Sequence, residues 1–212
     1  MVRRIGRADA LISIIDEGLR SLAAKSAPSR RSPADDIVED RLITAEREAS
    51  IALLRVNHAG EISAQALYSG QSIFARSEVT RQHLLRAADE ERDHLAWCAA
   101  RLEELGGRRS FLDPLWYAGG ALIGLAAGAA GDRLSLGFVT ETERQVEAHL
   151  EDHLGKLPER DAKSRAILEQ MAEDEARHGS MAQQAGGSPL SPLATRLMAL
   201  GGGLVRRVAL YI

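Results

Sequence analysis

The sequence predicts an all-α fold: a bundle of four long helices, with a long apolar helix crossing between its two halves and a last helix docked at the C-terminus. Aromatic residues are only 4% of this 212-residue chain, which is rich in Ala, Leu, Glu and Arg, a palette that favours helices over strands. Apolar residues recur at helical spacing along long stretches without proline. Those stretches stop at glycine pairs or ahead of a proline, where helices end.

The length suits one well-buried domain with appendages. Residues 1–40 read as an N-terminal amphipathic segment, with a short amphipathic stretch over 8–24, and a linker holding Pro28 and Pro33; residues 41–212 form the main domain. Its first helix, A, is expected from about residue 40 to Arg76, on the spacing of Leu42, Ile51, Leu54, Ile62 and Leu67. Helix B should run from Val79 to Leu105 and stop at Gly106-Gly107. Helix C, from Leu134 to Leu157, ends before Pro158, and helix D, from Asp161 to Ala185, ends at Gly186-Gly187.

Between B and C lies a crossover, 111–133, whose stretch from Pro114 to Gly131 carries no charge. Its length just qualifies it as a membrane-span candidate, while Gly120, Gly124 and Gly128, one helical turn apart, point to close helix packing. A single crossing would put helices A and B on one side of the bilayer and C and D on the other. The expected placement is therefore in or on the interface, or dipping in and returning, with the C-terminal helix beside it. The last helix, 190–211, sets Leu193, Leu197, Leu200 and Leu204 beside Arg196, Arg206 and Arg207, the pattern of an interfacial or docking helix.

A net charge of −3 with Lys and Arg scattered among acids speaks against nucleic acid as a partner. Cys98 is the only cysteine, so no intramolecular disulfide can form. Asp9, Asp16 and Glu17 interrupt the start of the chain, which argues against a signal or transit peptide and for a reducing, cytoplasm-side location.

The chemistry is concentrated in a repeated pattern. Glu91-Arg92-Asp93-His94 on helix B and Glu175-Ala176-Arg177-His178 on helix D each put a carboxylate and an imidazole on one helix face. Glu61 precedes Glu91 by thirty residues and Glu143 precedes Glu175 by thirty-two, so the chain reads Glu then Glu-x-x-His, twice. Carboxylate-bridged di-iron and di-manganese bundles of the ferritin-like kind use this ligand set. Four carboxylates would nearly neutralise two divalent cations, and six ligands leave coordination positions open for O₂. A lone helical Glu is usually a solvated surface residue. Here Leu54 and Tyr68, Leu84 and Ala88, Val139 and Leu150, and Leu168 and Met171 place each acid on an apolar stripe, where an unpartnered carboxylate would be prohibitively costly. Glu147 shares the face of Glu143 and is its alternative. His58, His149 and Tyr68 are candidates for the surrounding shell, each with an ordinary buried role as the rival reading, and Cys98 reads as a small apolar residue.

The strings Asn57-His58-Ala59-Gly60-Glu61, Glu90-Glu91-Arg92-Asp93-His94-Leu95 with Trp97-Cys98, Asp113-Pro114-Leu115 and Glu173-Asp174-Glu175-Ala176-Arg177-His178 closely resemble the demethoxyubiquinone hydroxylases of ubiquinone biosynthesis, bacterial members above all. The resemblance runs from about residue 46 to the C-terminus. It implies that Glu61, Glu91, His94, Glu143, Glu175 and His178 hold two irons, Glu91 and Glu175 bridging both. It also implies ring hydroxylation of a prenylated demethoxybenzoquinone or quinol, 5-demethoxyubiquinol, with O₂. NADH is the implied electron donor, although the chain has no Gly-x-Gly-x-x-Gly fingerprint. His149 matches an active-site histidine of the family, while Leu150 stands where animal forms have Tyr. The implied partners are a polyprenyl quinone and O₂, a homo-oligomeric copy and other ubiquinone-biosynthesis proteins. The implied location is peripheral, on the cytoplasmic face of a bacterial inner membrane, or the matrix side of the mitochondrial one in a eukaryote. Two rivals stand beside this reading: a ferroxidase, peroxidase or manganese catalase on the same bundle, and a metal-free membrane-adaptor bundle.

Overall fold

The computed structural model describes residues 6–23 and 28–212. Residue 24, which ends the expected N-terminal stretch, and linker residues 25–27 lie outside the described residues. Among the described residues there are seven helices and no strand: α1 (Arg7–Ala23), α2 (Thr44–Phe74), α3 (Glu78–Glu104), α4 (Asp113–Ala129), α5 (Asp132–Lys156), α6 (Ala162–Gln184) and α7 (Pro192–Ala209).

Helices α2, α3, α5 and α6 form the bundle. Contacts down α2 and α5 pair Gln71 with Ser135, Tyr68 with Glu143 and Asn57 with His153, so these two helices are antiparallel. The contacts of Glu90 with His178, His94 with Asp174 and Arg101 with Asp161 make α3 and α6 antiparallel in the same way. Helix ends follow local chemistry. Ser77 caps α3 by accepting from the Thr80 amide, and Asp161 caps α6 by accepting from the Ser164 amide. The expected stop of α3 is met by Gly106 at φ 71°, with the Gly107 amide donating to the Leu102 carbonyl. Helix α5 starts ahead of its expected residue because Asp132 also accepts from the amides of Arg76 and Ser77, tying its first turn to the α2–α3 connection.

The glycines of the crossover helix α4 explain its place. A Cβ on Gly120, Gly124 or Gly128 would lie 2.2, 2.1 or 2.7 Å from the carbonyl oxygens of Ser63, Leu67 and Gln71. The ascending register makes α4 parallel to α2, with backbone against backbone, an approach only glycine permits. Among the described residues no helix is long and apolar enough to cross a membrane.

Helix α1 lies over α2 and α4. Its Ile14 carbonyl accepts from Tyr117 Oη at 2.7 Å, and Glu17 accepts from Ser69 Oγ at 2.7 Å. Helix α7 packs Ala209 against Val56 and Ala59, with Trp116 alongside. Large aliphatic side chains remain exposed on all three covering helices: Ile12, Ile15 and Leu19 on α1; Leu115, Leu122 and Ile123 on α4; Leu193, Leu197, Leu200 and Leu204 on α7.

Inside the bundle one apolar cluster gathers Leu54, Trp97, Cys98, Leu102, Leu150, Leu168 and Met171. Another gathers Leu67, Tyr68, Leu84, Leu136, Val139 and Ala182. On each of the four helices the Glu of the repeated pattern falls between residues of the two clusters. The polar layer is thus sealed above and below by apolar side chains.

Candidate metal centre

Helices need side chains three or four apart to share a face, and the Glu-x-x-His step does this on α3 and α6. The bundle then turns both pairs, with Glu61 from α2 and Glu143 from α5, into one buried layer in which none of the six is more than 7% exposed. Two overlapping groups form: Glu61, Glu91, His94 and Glu175, and Glu91, Glu143, Glu175 and His178. Within each, one ligand atom per residue lies within 4.8 Å of all the others. Glu91 and Glu175 belong to both, the positions bridging carboxylates would occupy. Glu143, rather than the half-buried Glu147, is the α5 member.

Both histidines present Nδ1 to the centre. His94 Nδ1 is 3.2 Å from Glu91, 3.2 Å from Glu175 and 3.5 Å from Glu61. His178 Nδ1 is 3.4 Å from Glu175, 3.6 Å from Glu143 and 3.7 Å from Glu91. Their Nε2 atoms face outward to a second carboxylate, Asp174 for His94 and Glu90 for His178, each at 3.0 Å. The arrangement is crosswise: the acid preceding the glutamate of one motif serves the histidine of the other. Arg177 joins the two, reaching Asp174 at 2.8 Å and Glu90 at 2.5 Å. Such outer carboxylates set the imidazole orientation and raise its basicity as a ligand.

The layer is electrically frustrated as bare protein. Burial, then the nearby Glu175 and Glu61, pushes the Glu91 carboxyl well above its usual range, and burial with Glu175 pushes Glu143 up to about 8. Burial would raise Glu175 too, but the nearby imidazoles of His178 and His94 outweigh it and hold that carboxyl low. Burial opposes charge on His94 and His178, yet their surrounding carboxylates raise both. Hydrogen bonding from His178 brings Glu90 down to about 2. Glu91 Oε1, Glu143 Oε2, both Glu175 oxygens and His178 Nδ1 are buried without a hydrogen-bond partner. Leaving a buried charged acceptor unsatisfied costs several kcal/mol by order of magnitude, about 3–5 for an unpaired charge. The donor set, all carboxylate oxygen and imidazole nitrogen, fits first-row divalent metals such as iron or manganese.

The other candidates take definite places. Tyr68 donates to Glu143 Oε1 at 2.6 Å, so it touches the centre directly. His58 is buried and sits 3.4 Å from Asp113 at the start of α4. His149 and His153 both use a ring nitrogen 2.9 Å from Asn57 Oδ1, with their rings edge to face. Burial keeps these two imidazoles neutral, with values near 3 and 4. Cys98 packs against Met171, apolar in role as expected. A crevice of about 270 Å³ between α3, α5 and α6 reaches Glu90 and His178 past Leu84, Leu136 and Val139. Sequence reasoning gave no role of their own to Asp174, Glu90, Asn57 or His153. An acid directly before each Glu-x-x-His was the available signal for the first two.

Residues 48–208 match the family model described as ubiquinone biosynthesis protein COQ7. The chain belongs to this family. A 3-demethoxyubiquinol 3-hydroxylase from Cupriavidus taiwanensis is 52% identical over 205 residues, covering 96% of this chain and 99% of that protein. One of the same name from Nitrosomonas eutropha is 50% identical over 204 residues, covering 96% and 98%. Among solved structures, the bacterioferritin-related protein of Bacteroides fragilis, a dodecameric thioferritin, superposes with a TM-score of 0.56 at 17% identity, over 65% of this chain and 84% of that one. That likeness shows the ferritin-like fold of this COQ7 family member.

Proposed function

We propose that this chain is a di-iron monooxygenase of ubiquinone biosynthesis, hydroxylating the ring of a prenylated demethoxybenzoquinol with O₂. The observation that carries the reading is the buried layer of Glu61, Glu91, His94, Glu143, Glu175 and His178, with unsatisfied oxygens on three of its acids, in a COQ7 family member. These six residues would hold the two irons, which supply O₂ activation when bound. NADH is the proposed source of electrons.

The chain's own part is positional. Asp174 and Glu90 keep both imidazoles aimed at the centre, and Tyr68 holds one oxygen of Glu143. The apolar clusters on either side wall the layer off from bulk solvent. A polyprenyl tail stays in a bilayer. We assign membrane contact to the exposed aliphatic residues of α1, α4 and α7, which cover α2, with Arg196, Arg206 and Arg207 suited to anionic headgroups. The proposed location is peripheral, on the cytoplasmic face of a bacterial inner membrane.

The test supplies the reduced protein with a short-tailed demethoxyubiquinol and ¹⁸O₂. One labelled oxygen should enter the ring, and a folded Glu175→Ala protein should lose both irons and all product. Unlabelled product, or turnover of peroxide or ferrous iron in place of hydroxylation, would refute this assignment and favour a catalase, peroxidase or ferroxidase.

A further inference from the structure

The segment ahead of the bundle, outside the 48–208 stretch matched by the family model, reaches into the metal layer through one side chain. Arg30 extends its guanidinium between two buried acids: Nε donates to Asp93 Oδ2 at 2.9 Å, and Nη1 lies 2.8 Å from Asp174 Oδ2. That same Asp174 oxygen is the one 3.0 Å from His94 Nε2. The segment is held in this place from several sides. The Ser29 amide donates to Asp93 Oδ1 at 2.6 Å, and the Ser29 hydroxyl bonds the same carboxylate. The Arg30 guanidinium stacks over Trp97 at 4.8 Å, and the Trp97 indole donates back to the Arg30 carbonyl at 3.4 Å.

The two histidines therefore differ in what supports them. His178 leans on Glu90, an acid one-third exposed and paired with Arg177 from within the bundle. His94 leans on an Asp174 that is fully buried and clamped by Arg177 on one oxygen and Arg30 on the other. Without Arg30, Asp174 Oδ2 would keep only His94 among these partners, and Asp93 would lose its cation.

We infer that Arg30 is a positioning residue for the metal held by the Glu61, Glu91, His94 and Glu175 group, acting on His94 through Asp174 and through its own Nη2, 3.5 Å from His94 Nε2. The inference rests on the two-iron reading above. A planar guanidinium can bond two carboxylates at once, whereas a lysine ammonium is a single point charge on a flexible stem. The clamp therefore needs arginine, and Lys would restore only part of it.

The experiment loads wild type, Arg30→Ala, Arg30→Lys and Arg31→Ala anaerobically with Fe(II), then follows iron release to a ferrous chelator and records Mössbauer spectra. Arg31 is the control because it is exposed and its ion pairs among the described residues are with Asp35 and Asp36, away from the layer. Loss of an outer partner typically weakens metal binding about 10–100-fold. In Arg30→Ala one of the two irons should leave about that much faster, its spectral doublet alone should shift, and Arg30→Lys should fall between. Asp174→Asn should act in the same direction, and combining it with Arg30→Ala should give less than the sum of the two effects, because the residues share His94. Unchanged release and spectra in Arg30→Ala would overturn the inference, as would equal acceleration of both irons alongside a fall in melting temperature. A wild type that takes up no iron would refute the two-iron reading itself, and the inference with it.

Discussion

Helix α4 backs the helix that carries Glu61, and one methyl group tests how closely. In Gly124→Ala the new Cβ would stand 2.1 Å from the Leu67 carbonyl oxygen, where ordinary contact begins at 3.4 Å, so the helices must separate locally by about 1.3 Å. The obstacle is backbone and cannot rotate away. Overpacking of this kind costs about 1–3 kcal/mol, and a backbone collision belongs at the upper end. Replacing a helical Gly by Ala returns roughly 0.5–1 kcal/mol through chain entropy, leaving a net loss of about 2 kcal/mol. Gly119, five residues earlier on the same helix, has nothing within 4 Å of its Cβ position. Gly119→Ala should therefore stabilise by about 0.5–1 kcal/mol. The two variants should differ by about 3 kcal/mol, or roughly 6–12 °C in melting temperature for a chain of this size. Thermal melts by circular dichroism, with metal content held equal, measure this. Gly124→Ala melting at or above Gly119→Ala would show that α4 does not pack on α2 as described.

Two further outcomes follow from the buried polar groups. Glu143 titrates near 8 in the folded protein against 4.5 as a free group, so the fold holds a proton that the unfolded chain releases; this contribution is complete below 4.5 and lost as pH rises through 8. Glu91 shifts in the same direction, whereas Glu175 is depressed and matters only toward acid. Metal-free protein should thus melt lower at about pH 9 than at about pH 6, and Fe(II) or Mn(II) should remove most of the difference; a metal-free melting point that rises over this range would contradict the frustrated layer. Asn57→Leu should destabilise the protein by about 1–3 kcal/mol, because the ring nitrogens of His149 and His153 lose their shared acceptor. Denaturant titration checks it, and an unchanged midpoint would mean that Asn57 holds neither ring.

Much of the fold was legible in local sequence signals. Helical periodicity and glycine or proline stops located the bundle helices to within a few residues, because both signals are local. The six residues of the centre were legible for the same reason: Glu-x-x-His fixes a shared face within one helix, and the apolar neighbours tell which way that face points. The choice of Glu143 over Glu147 leaned on matched spacing and was decided only by packing, since both acids lie on one side of α5.

What lies across from each face is set by how the helices pack. Periodicity gives a helix a buried side but no partner, and partners depend on the rotation and axial shift that packing sets. So the crosswise pairing of Asp174 with His94 and Glu90 with His178, and the bridge from Asn57 to two histidines, appear only once α3 meets α6 and α2 meets α5. The small-residue spacing of α4 announced close packing, but not that α2 would receive it in parallel register. Arg30 is the extreme case. It lies in a segment without periodicity, and its partners Asp93 and Asp174 are brought to it by folding alone.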